Sequence, residues 1–234
     1  MSALLEIRNV DAGYGPFRAL FDVSLVVPDG GVVALLGANG AGKTTVARVC
    51  SGLVVPSDGQ VVFDGEDLTA RPPFRFARAG IVHAPEGRSV FASLTVEENL
   101  VLSFRASLGR SGVAGALARA YELFPRLGER RRQLGGSLSG GEQRMLALAR
   151  VLADPPRLLV ADELSLGLAP IIVEDVYRTL AAVRDAGTTI LLVEQYVRHA
   201  LGLADDVVVL TKGEVTLAGP VSELGDVAER LLPS

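Results

Sequence analysis

One cysteine, Cys50, stands in a chain of 234 residues, which excludes an internal disulfide framework and fits a reducing compartment. Its place in the helix expected after the first glycine-rich loop marks it as a packing residue. Nowhere do about 18 apolar residues run unbroken, as a spanning helix needs. No apolar N-terminal segment resembles a signal peptide, so the chain is expected to stay in the cytoplasm and to meet a membrane only through a partner. An excess of positive charge is missing too. Lysine and arginine number 23 against 27 acidic residues, for a net charge of -4, and no polycationic surface points to nucleic acid as a partner. The arginines that do cluster, Arg126, Arg130, Arg131 and Arg132, form a run short enough to read as a solvated helix face. Histidine is scarce, with two residues. His83 reads as a hydrogen-bonded, partly buried strand residue and His199 as a helix surface residue, and neither calls for a functional role. The length suits one large α/β domain or one domain with an inserted lobe.

Strand and helix signals alternate along most of the chain. Leu4 to Val10, Phe21 to Val27 and Gln60 to Phe63 carry strand patterning, the last followed by an Asp64-Gly65 turn, and predict an antiparallel edge near the N-terminus. Val32 to Leu36 is a short continuous apolar run leading into glycines, the pattern of a buried parallel strand that feeds a helix. That helix is expected over Lys43 to Ser51, ended by Gly52 with Pro56 beyond. Gly80 to Ala84 reads as another strand. Thr95-Val96-Glu97-Glu98 has capping-box spacing and starts a helix through Leu100. From there to about Leu152 the pattern stays helical, broken at Gly109 to Gly115 and at Pro125, and predicts a separate helical lobe. After Pro155-Pro156 come a strand over Leu158 to Ala161, a helix around Ile172 to Asp185 and a strand over Thr188 to Val193. A Lys212-Gly213 turn joins Val207 to Leu210 with Val215 to Leu217, and Leu224 to Leu232 is expected to be a terminal helix. Such alternation implies a mostly parallel sheet covered on both faces, an α/β fold.

Two phosphate-handling sequences lie far apart. Gly37-Ala38-Asn39-Gly40-Ala41-Gly42-Lys43-Thr44 falls between an expected strand and an expected helix, where backbone N–H groups can ring phosphates. Gly37, Gly40 and Gly42 permit the tight loop, Lys43 reaches the terminal phosphates as a point charge, and Thr44 offers a hydroxyl to Mg²⁺. The second, Leu138-Ser139-Gly140-Gly141-Glu142-Gln143, has no lysine of its own and reads as a lid for a nucleotide held by another chain. Ser139 is the expected N-cap of a helix through Met145, Leu146 and Leu148, and the glycines leave the first N–H groups bare for an anion. An ordinary capped helix is the plainer alternative, although it would tolerate many residues at both glycine positions. Between the two motifs and the C-terminus, the strand Leu158-Leu159-Val160-Ala161 ends in Asp162-Glu163. Asp162 can hold Mg²⁺ through water, while Glu163, pointing elsewhere by strand alternation, can orient or deprotonate an attacking water. An acidic pair at a strand end can also cap a helix or face solvent.

The glycine loop, Leu-Ser-Gly-Gly-Glu-Gln and the strand ending in Asp-Glu, in that order, resemble the ATP-binding subunits of ABC transporters over nearly the whole chain. The resemblance implies a P-loop NTPase core with a mostly parallel sheet, an antiparallel β lobe and a helical lobe carrying the signature. As one domain spanning 1–234, the core and β lobe would occupy about 1–87 and 154–234, and the helical lobe about 88–153. It further implies a head-to-tail pair of subunits in which each ATP, with Mg²⁺, lies between one glycine loop and the other subunit's signature helix. The nucleotide set is then Tyr14, matching an aromatic on which adenine stacks, and the run Gly37, Ala38, Asn39, Gly40, Ala41, Gly42, Lys43, Thr44 and Thr45. Ser139, Gly140, Gly141 and Glu142 would act in trans. Metal ligands would be Thr44, Asp162 and Glu86, the last standing where most members have glutamine. Catalysis would fall to Glu163, Lys43 and Gln195, which takes the place of the usual switch histidine and can donate to a phosphate oxygen without carrying charge.

Glu86-Gly87-Arg88, Leu94 to Leu100, Tyr121 to Leu127, Ser165 to Pro170 and Val193-Glu194-Gln195 together are similar to the ATPases of branched-chain amino acid importers that pair with a second, related ATPase. Relatives serving urea or other small solutes share much of this. The expected partners are therefore a transmembrane permease, a second ATP-binding subunit (a copy of this chain or an unlike one) and, indirectly, an external solute-binding protein, with no nucleic acid. The expected place is the cytoplasmic face of the inner membrane. Leu164 replaces a usual proline and Tyr196 a usual asparagine, and Leu164 is expected to loosen the turn that carries Glu163. A ribosome-acting relative would carry two cassettes, and a DNA-repair relative a long heptad insertion between Thr44 and Ser139; neither is present. A nucleotide-binding regulator that never hydrolyses is the remaining rival, favoured by Leu164, Glu86 and Gln195.

Overall fold

The computed structural model describes residues 2–85, 90–153, 155–167, 170–224 and 226. The N-terminal part is a hairpin of β1 (Ala3–Tyr14) and β2 (Phe17–Pro28), longer at both strands than the patterning predicts. With β4 (Asp58–Phe63) and β5 (Glu66–Asp67) it forms a four-stranded sheet in the order β2-β1-β4-β5. Its pairings are antiparallel. Asp64 and Gly65 both take positive φ, 50° and 78°, the backbone that a two-residue hairpin turn demands.

The second sheet has six strands. To β3 (Val32–Leu36) are added β6 (Ile81–Ala84), β7 (Leu158–Asp162), β8 (Thr189–Glu194), β9 (Asp206–Thr211) and β10 (Glu214–Pro220), in the order β10-β9-β3-β8-β7-β6. All neighbours run parallel except the β9–β10 hairpin. The continuous apolar runs follow from burial of both faces. Val33, Leu35, Leu158, Val160, Leu191 and Val193 point into a core shared with the antiparallel sheet and α1 (Lys43–Cys50). Ala34, Leu36, Leu159, Ala161, Ile190 and Leu192 point into the core on the opposite face. Cys50 is fully buried in the first of these, and burial pushes its thiol far above the ordinary range, which keeps it protonated and inert.

The helical segment is α3 (Val96–Leu123), α4 (Pro125–Glu129) and α5 (Gly140–Leu152). Its break is narrower than the expected Gly109 to Gly115. Only Gly109 leaves helical geometry, at φ 67° and ψ −173°, while Gly112 and Gly115 remain helical. Pro125 starts α4, where its missing N–H costs nothing. Thr95 caps α3 in a two-way capping box with Glu98. A short helix α2 (Pro73–Ala79), absent from the sequence expectations, packs Phe76 into the core. Two further helices, α6 (Pro170–Asp185) and α7 (Val197–Leu201), flank β8. The expected terminal helix over Leu224 to Leu232 falls almost wholly outside the described residues. No helix among those described is long and apolar enough to cross a membrane.

Candidate functional site

The glycine loop leaves β3 and enters α1 at Lys43. A side chain at Gly37 would place Cβ 2.5 Å from the Leu210 carbonyl oxygen, and Gly42 sits at φ 105° as the N-cap of α1. Both positions therefore require glycine for the chain's own sake. Lys43 is 3% exposed. Its Nζ donates to the Gly37 carbonyl at 2.9 Å and to that of Ala38 at 3.3 Å, and lies 3.1 Å from Glu163 Oε1. Thr44 is half-buried, Thr45 buried, and Ala38, Asn39 and Gly40 are exposed at the loop's crest.

Asp162 ends β7 at 1% exposure, and both of its carboxylate oxygens are buried without a hydrogen-bond partner. Glu163 does not continue the strand. Its φ of 47° puts it in the left-handed region, so the divergence of the two carboxylates comes from a turn and not, as the alternation argument has it, from the pleat. That turn is closed by Leu166 N–H donating to the Glu163 carbonyl at 3.2 Å, and Glu163 N–H donates to Val193 at 2.9 Å. Leu164 is buried in the apolar core.

His83 departs from expectation. Neither ring nitrogen has a hydrogen-bond partner, and Nε2 lies 3.7 Å from Asp162 Oδ2. His199 is exposed, as expected, with its ring 5.2 Å from that of Tyr177. Tyr14 projects at the tip of the β1–β2 hairpin, 43% exposed. The Arg48 guanidinium stacks 5.7 Å from its ring centroid and Nη1 donates to its hydroxyl at 3.0 Å. Glu86, the third expected metal ligand, lies outside the described residues, as do Leu168 and Ala169.

Ser139, Gly140, Gly141 and Glu142 form the N-terminus of α5. The capping box is complete: Ser139 Oγ accepts from Glu142 N–H at 3.3 Å, and Glu142 Oε2 accepts from Ser139 N–H and Oγ, both at 2.9 Å. Those hydrogen bonds from Ser139, backbone first, and the charges of Arg130 and Arg126 hold the Glu142 carboxyl below its ordinary value. The arginine run is thus not simply a solvated face, because Arg130 Nε lies 3.1 Å and Arg126 Nη1 3.8 Å from Glu142 Oε1.

Two residues that sequence reasoning passed over join this region. Arg144, buried on α5, donates from Nη2 to the Glu163 carbonyl at 3.1 Å, tying the signature helix to the turn after β7. Glu194, at the end of β8, is 1% exposed. Its Oε1 accepts from Ser165 Oγ at 2.7 Å and Ser165 N–H at 3.3 Å, and its Oε2 from Gln195 N–H at 3.3 Å. Burial raises the Glu194 carboxyl above its ordinary value against the pull of those bonds, and the charge of Glu163 adds to the rise. A charged residue closing an otherwise apolar strand was the available signal.

A conserved-family model described as ABC transporter matches residues 20–165, more than half of the chain. The chain belongs to the ABC transporter family. As a member it is an ATP-binding, ATP-hydrolysing cassette. Over 214 residues it is 42% identical to the high-affinity branched-chain amino acid transport ATP-binding protein BraG of Pseudomonas aeruginosa, covering 92% of this chain and 91% of that one. It is 35% identical to the probable branched-chain amino acid transport ATP-binding protein LivF of Archaeoglobus fulgidus, over 94% of both chains. It is 34% identical to the lipopolysaccharide export system ATP-binding protein LptB of Escherichia coli, over 95% of this chain and 92% of that one. Among solved structures, the ADP conformation of an ATP-binding cassette of an ABC transporter superposes with a TM-score of 0.85 at 26% identity, covering 97% and 94% of the two chains. An ATP-binding subunit of an ABC transporter does so at 0.85 and 29%, covering 99% and 95%. The α/β architecture of this cassette is therefore that of the ABC ATPases.

Proposed function

We propose that this cassette is the ATP-hydrolysing subunit that drives a membrane permease importing branched-chain or other hydrophobic amino acids. The observation that carries the hydrolytic part is the meeting of Lys43 and Glu163 at 3.1 Å beside a buried Asp162 whose two oxygens have no partner. An unpartnered buried carboxylate next to a phosphate-binding loop fits a divalent cation. Thr44 and Asp162, with Glu86, would hold Mg²⁺, which supplies charge neutralisation for the phosphates.

On this reading Gly37 to Thr45 cradle the triphosphate and Tyr14 offers its exposed ring to adenine. Lys43 turns from Glu163 to the terminal phosphates, freeing the Glu163 carboxylate to accept a proton from the attacking water. Gln195 donates to the γ-phosphate. Ser139, Gly140, Gly141 and Glu142 complete the site of a second ATP-binding subunit, identical or unlike. In support, the nearest atoms a Cβ at Gly141 would meet among the described residues are those of Ile172, at an ordinary 3.6 Å, so packing against them does not account for glycine there. Closure of the two subunits on ATP would move the helical lobe (about 88–153) against the core (about 1–87 and 154–234) and change the facing of the permease. The chain would work at the cytoplasmic face of the inner membrane, fed indirectly by an external solute-binding protein and without nucleic acid.

The solute class is supported by the names of the 42% and 35% identical relatives. The test is phosphate release and amino acid uptake by vesicles containing this chain with its co-purified permease and second ATPase. Release stimulated by leucine, isoleucine or valine is expected. Stimulation by urea alone would replace the solute, and ATP binding without phosphate release would overturn the whole reading in favour of a regulator.

A further inference from the structure

Glu163 and Gln195 sit at the ends of adjacent parallel strands, and on the reading above both must face the same phosphate. Their side chains come from different turns, so something must fix one turn relative to the other. Part of the link is backbone: Glu163 N–H donates to Val193 at 2.9 Å. The rest converges on one side chain. The buried carboxylate of Glu194 takes two donors from Ser165, two residues beyond Glu163, and a third from the Gln195 backbone. Neither oxygen is left for solvent at 1% exposure, and no cation is paired with it among the described residues, so its hydrogen bonds are what compensates its burial.

We propose that Glu194 is a positioning residue of the ATPase site, clamping the Glu163–Ser165 turn to the Gln195 backbone so that the water-activating carboxylate and the phosphate-sensing amide are held as one unit. This rests on the roles proposed above for Glu163 and Gln195. Both oxygens of Glu194 are used, one for each turn, and a carboxylate is the side chain that can accept on both ends. A glutamine of the same shape would have to turn its NH₂ toward either Ser165 or the Gln195 N–H and would lose one side of the clamp. The Tyr177 hydroxyl, on α6, is buried without a hydrogen-bond partner among the described residues, and burial and then the Glu194 charge push its phenol far above the ordinary range, so it stays neutral.

The test compares full-length variants assembled with the permease partners, measuring KM and kcat for ATP together with Tm. Glu194→Gln is expected to lower kcat roughly 10-fold to 10²-fold, the scale of a small misplacement of catalytic groups, while KM for ATP stays within about twofold of wild type, as for a loss confined to the transition state. Ser165→Ala, which keeps the backbone bond to Oε1, should lower kcat less, and the double variant should be no slower than Glu194→Gln alone. If Glu194→Gln fails to assemble, Ser165→Ala carries the test. A lowered Tm with unchanged kcat in the assembled variant, or a raised KM with unchanged kcat, would overturn the clamp and leave Glu194 a packing residue. Glu163→Gln in the same series separates the two levels. Wild-type turnover in that variant sinks the catalytic reading itself, whereas its loss alongside normal turnover in the Glu194 and Ser165 variants sinks only the clamp.

Discussion

Lys43 Nζ lies 3.1 Å from Glu163 Oε1, joining the glycine loop to the turn after β7 through a pair whose side chains are 3% and 9% exposed. Removing one member leaves a buried charge without its opposite, which is costlier than removing both. Lys43→Met is therefore expected to lower stability without nucleotide, and Lys43→Met with Glu163→Gln to recover part of that loss. The coupling read from a denaturation double-mutant cycle should fall at about 0.5–3 kcal/mol. Strict additivity of the two single variants would mean that the pair carries no net interaction.

Catalysis offers a separate readout of the same residue. Glu163→Gln preserves size and one acceptor oxygen but cannot take a proton, so ATP binding should persist while turnover falls by roughly 10² to 10⁴, the range for loss of a general base. Nucleotide binding measured by equilibrium titration and phosphate release measured on the same preparation check this. Hydrolysis at the wild-type rate would assign the base elsewhere.

Much of this site was legible in the sequence because its chemistry is local. A glycine loop after an apolar strand, a capping box and Asp162-Glu163 each declare themselves within a few residues. What was hidden depends on contacts between segments distant in the chain. Arg130 is one turn of a basic run until the fold sets it 3.1 Å from Glu142. Arg144 and Glu194 read as ordinary polar residues until α5 and β8 bring them to the turn after β7. His83, expected to be satisfied, has no hydrogen-bond partner at either ring nitrogen among the described residues, and its Nε2 lies 3.7 Å from Asp162 Oδ2, a neighbour on another strand that the local sequence does not show. Strand alternation failed at Glu163 for a local reason, since a left-handed residue ends the pleat on which the alternation rests. Gly109 marked a real break, whereas Gly112 and Gly115 did not, and helix propensity does not tell them apart, since Gly109 has Leu108 and Arg110 as neighbours and Gly112 has Ser111 and Val113.

The signature helix should reveal its charges through pH. Glu142 has its carboxyl held below the ordinary value by Ser139 and by Arg130 and Arg126. A depressed folded value contributes stability that is present above the unfolded value, about 4.3, and is lost as pH falls through the folded one. Glu142→Gln can still cap the helix but carries no charge. Wild type should therefore be more stable than the variant at about pH 7, and the difference in Tm should shrink as pH falls below about 4. A difference that stayed constant down to about pH 3 would show that the charge of Glu142 contributes nothing.

Asn99 makes a prediction that owes nothing to catalysis. Fully buried on the first turns of α3, it accepts from Phe91 N–H at 2.8 Å and donates to the carbonyls of Phe91, Leu94 and Thr95 at 3.0, 3.2 and 2.9 Å. The side chain thus supplies the acceptor for the Phe91 N–H and a second donor to carbonyls that backbone N–H groups already reach. Asn99→Ala strands the Phe91 N–H in a dry interior, while the carbonyls of Phe91, Leu94 and Thr95 keep the backbone N–H groups of Leu94, Gly135 and residue 99. Leaving that one donor unpaired costs about 1–3 kcal/mol, and for a chain of this size each kcal/mol lowers Tm by roughly 2–4 °C. Asn99→Asp discriminates further. It keeps the size and the acceptor for Phe91 N–H but replaces the donor by a second oxygen facing three carbonyls, so at neutral pH it should destabilise more than alanine does. Thermal unfolding of the two variants side by side decides the point, because a loop held mainly by apolar packing would rank them the other way round.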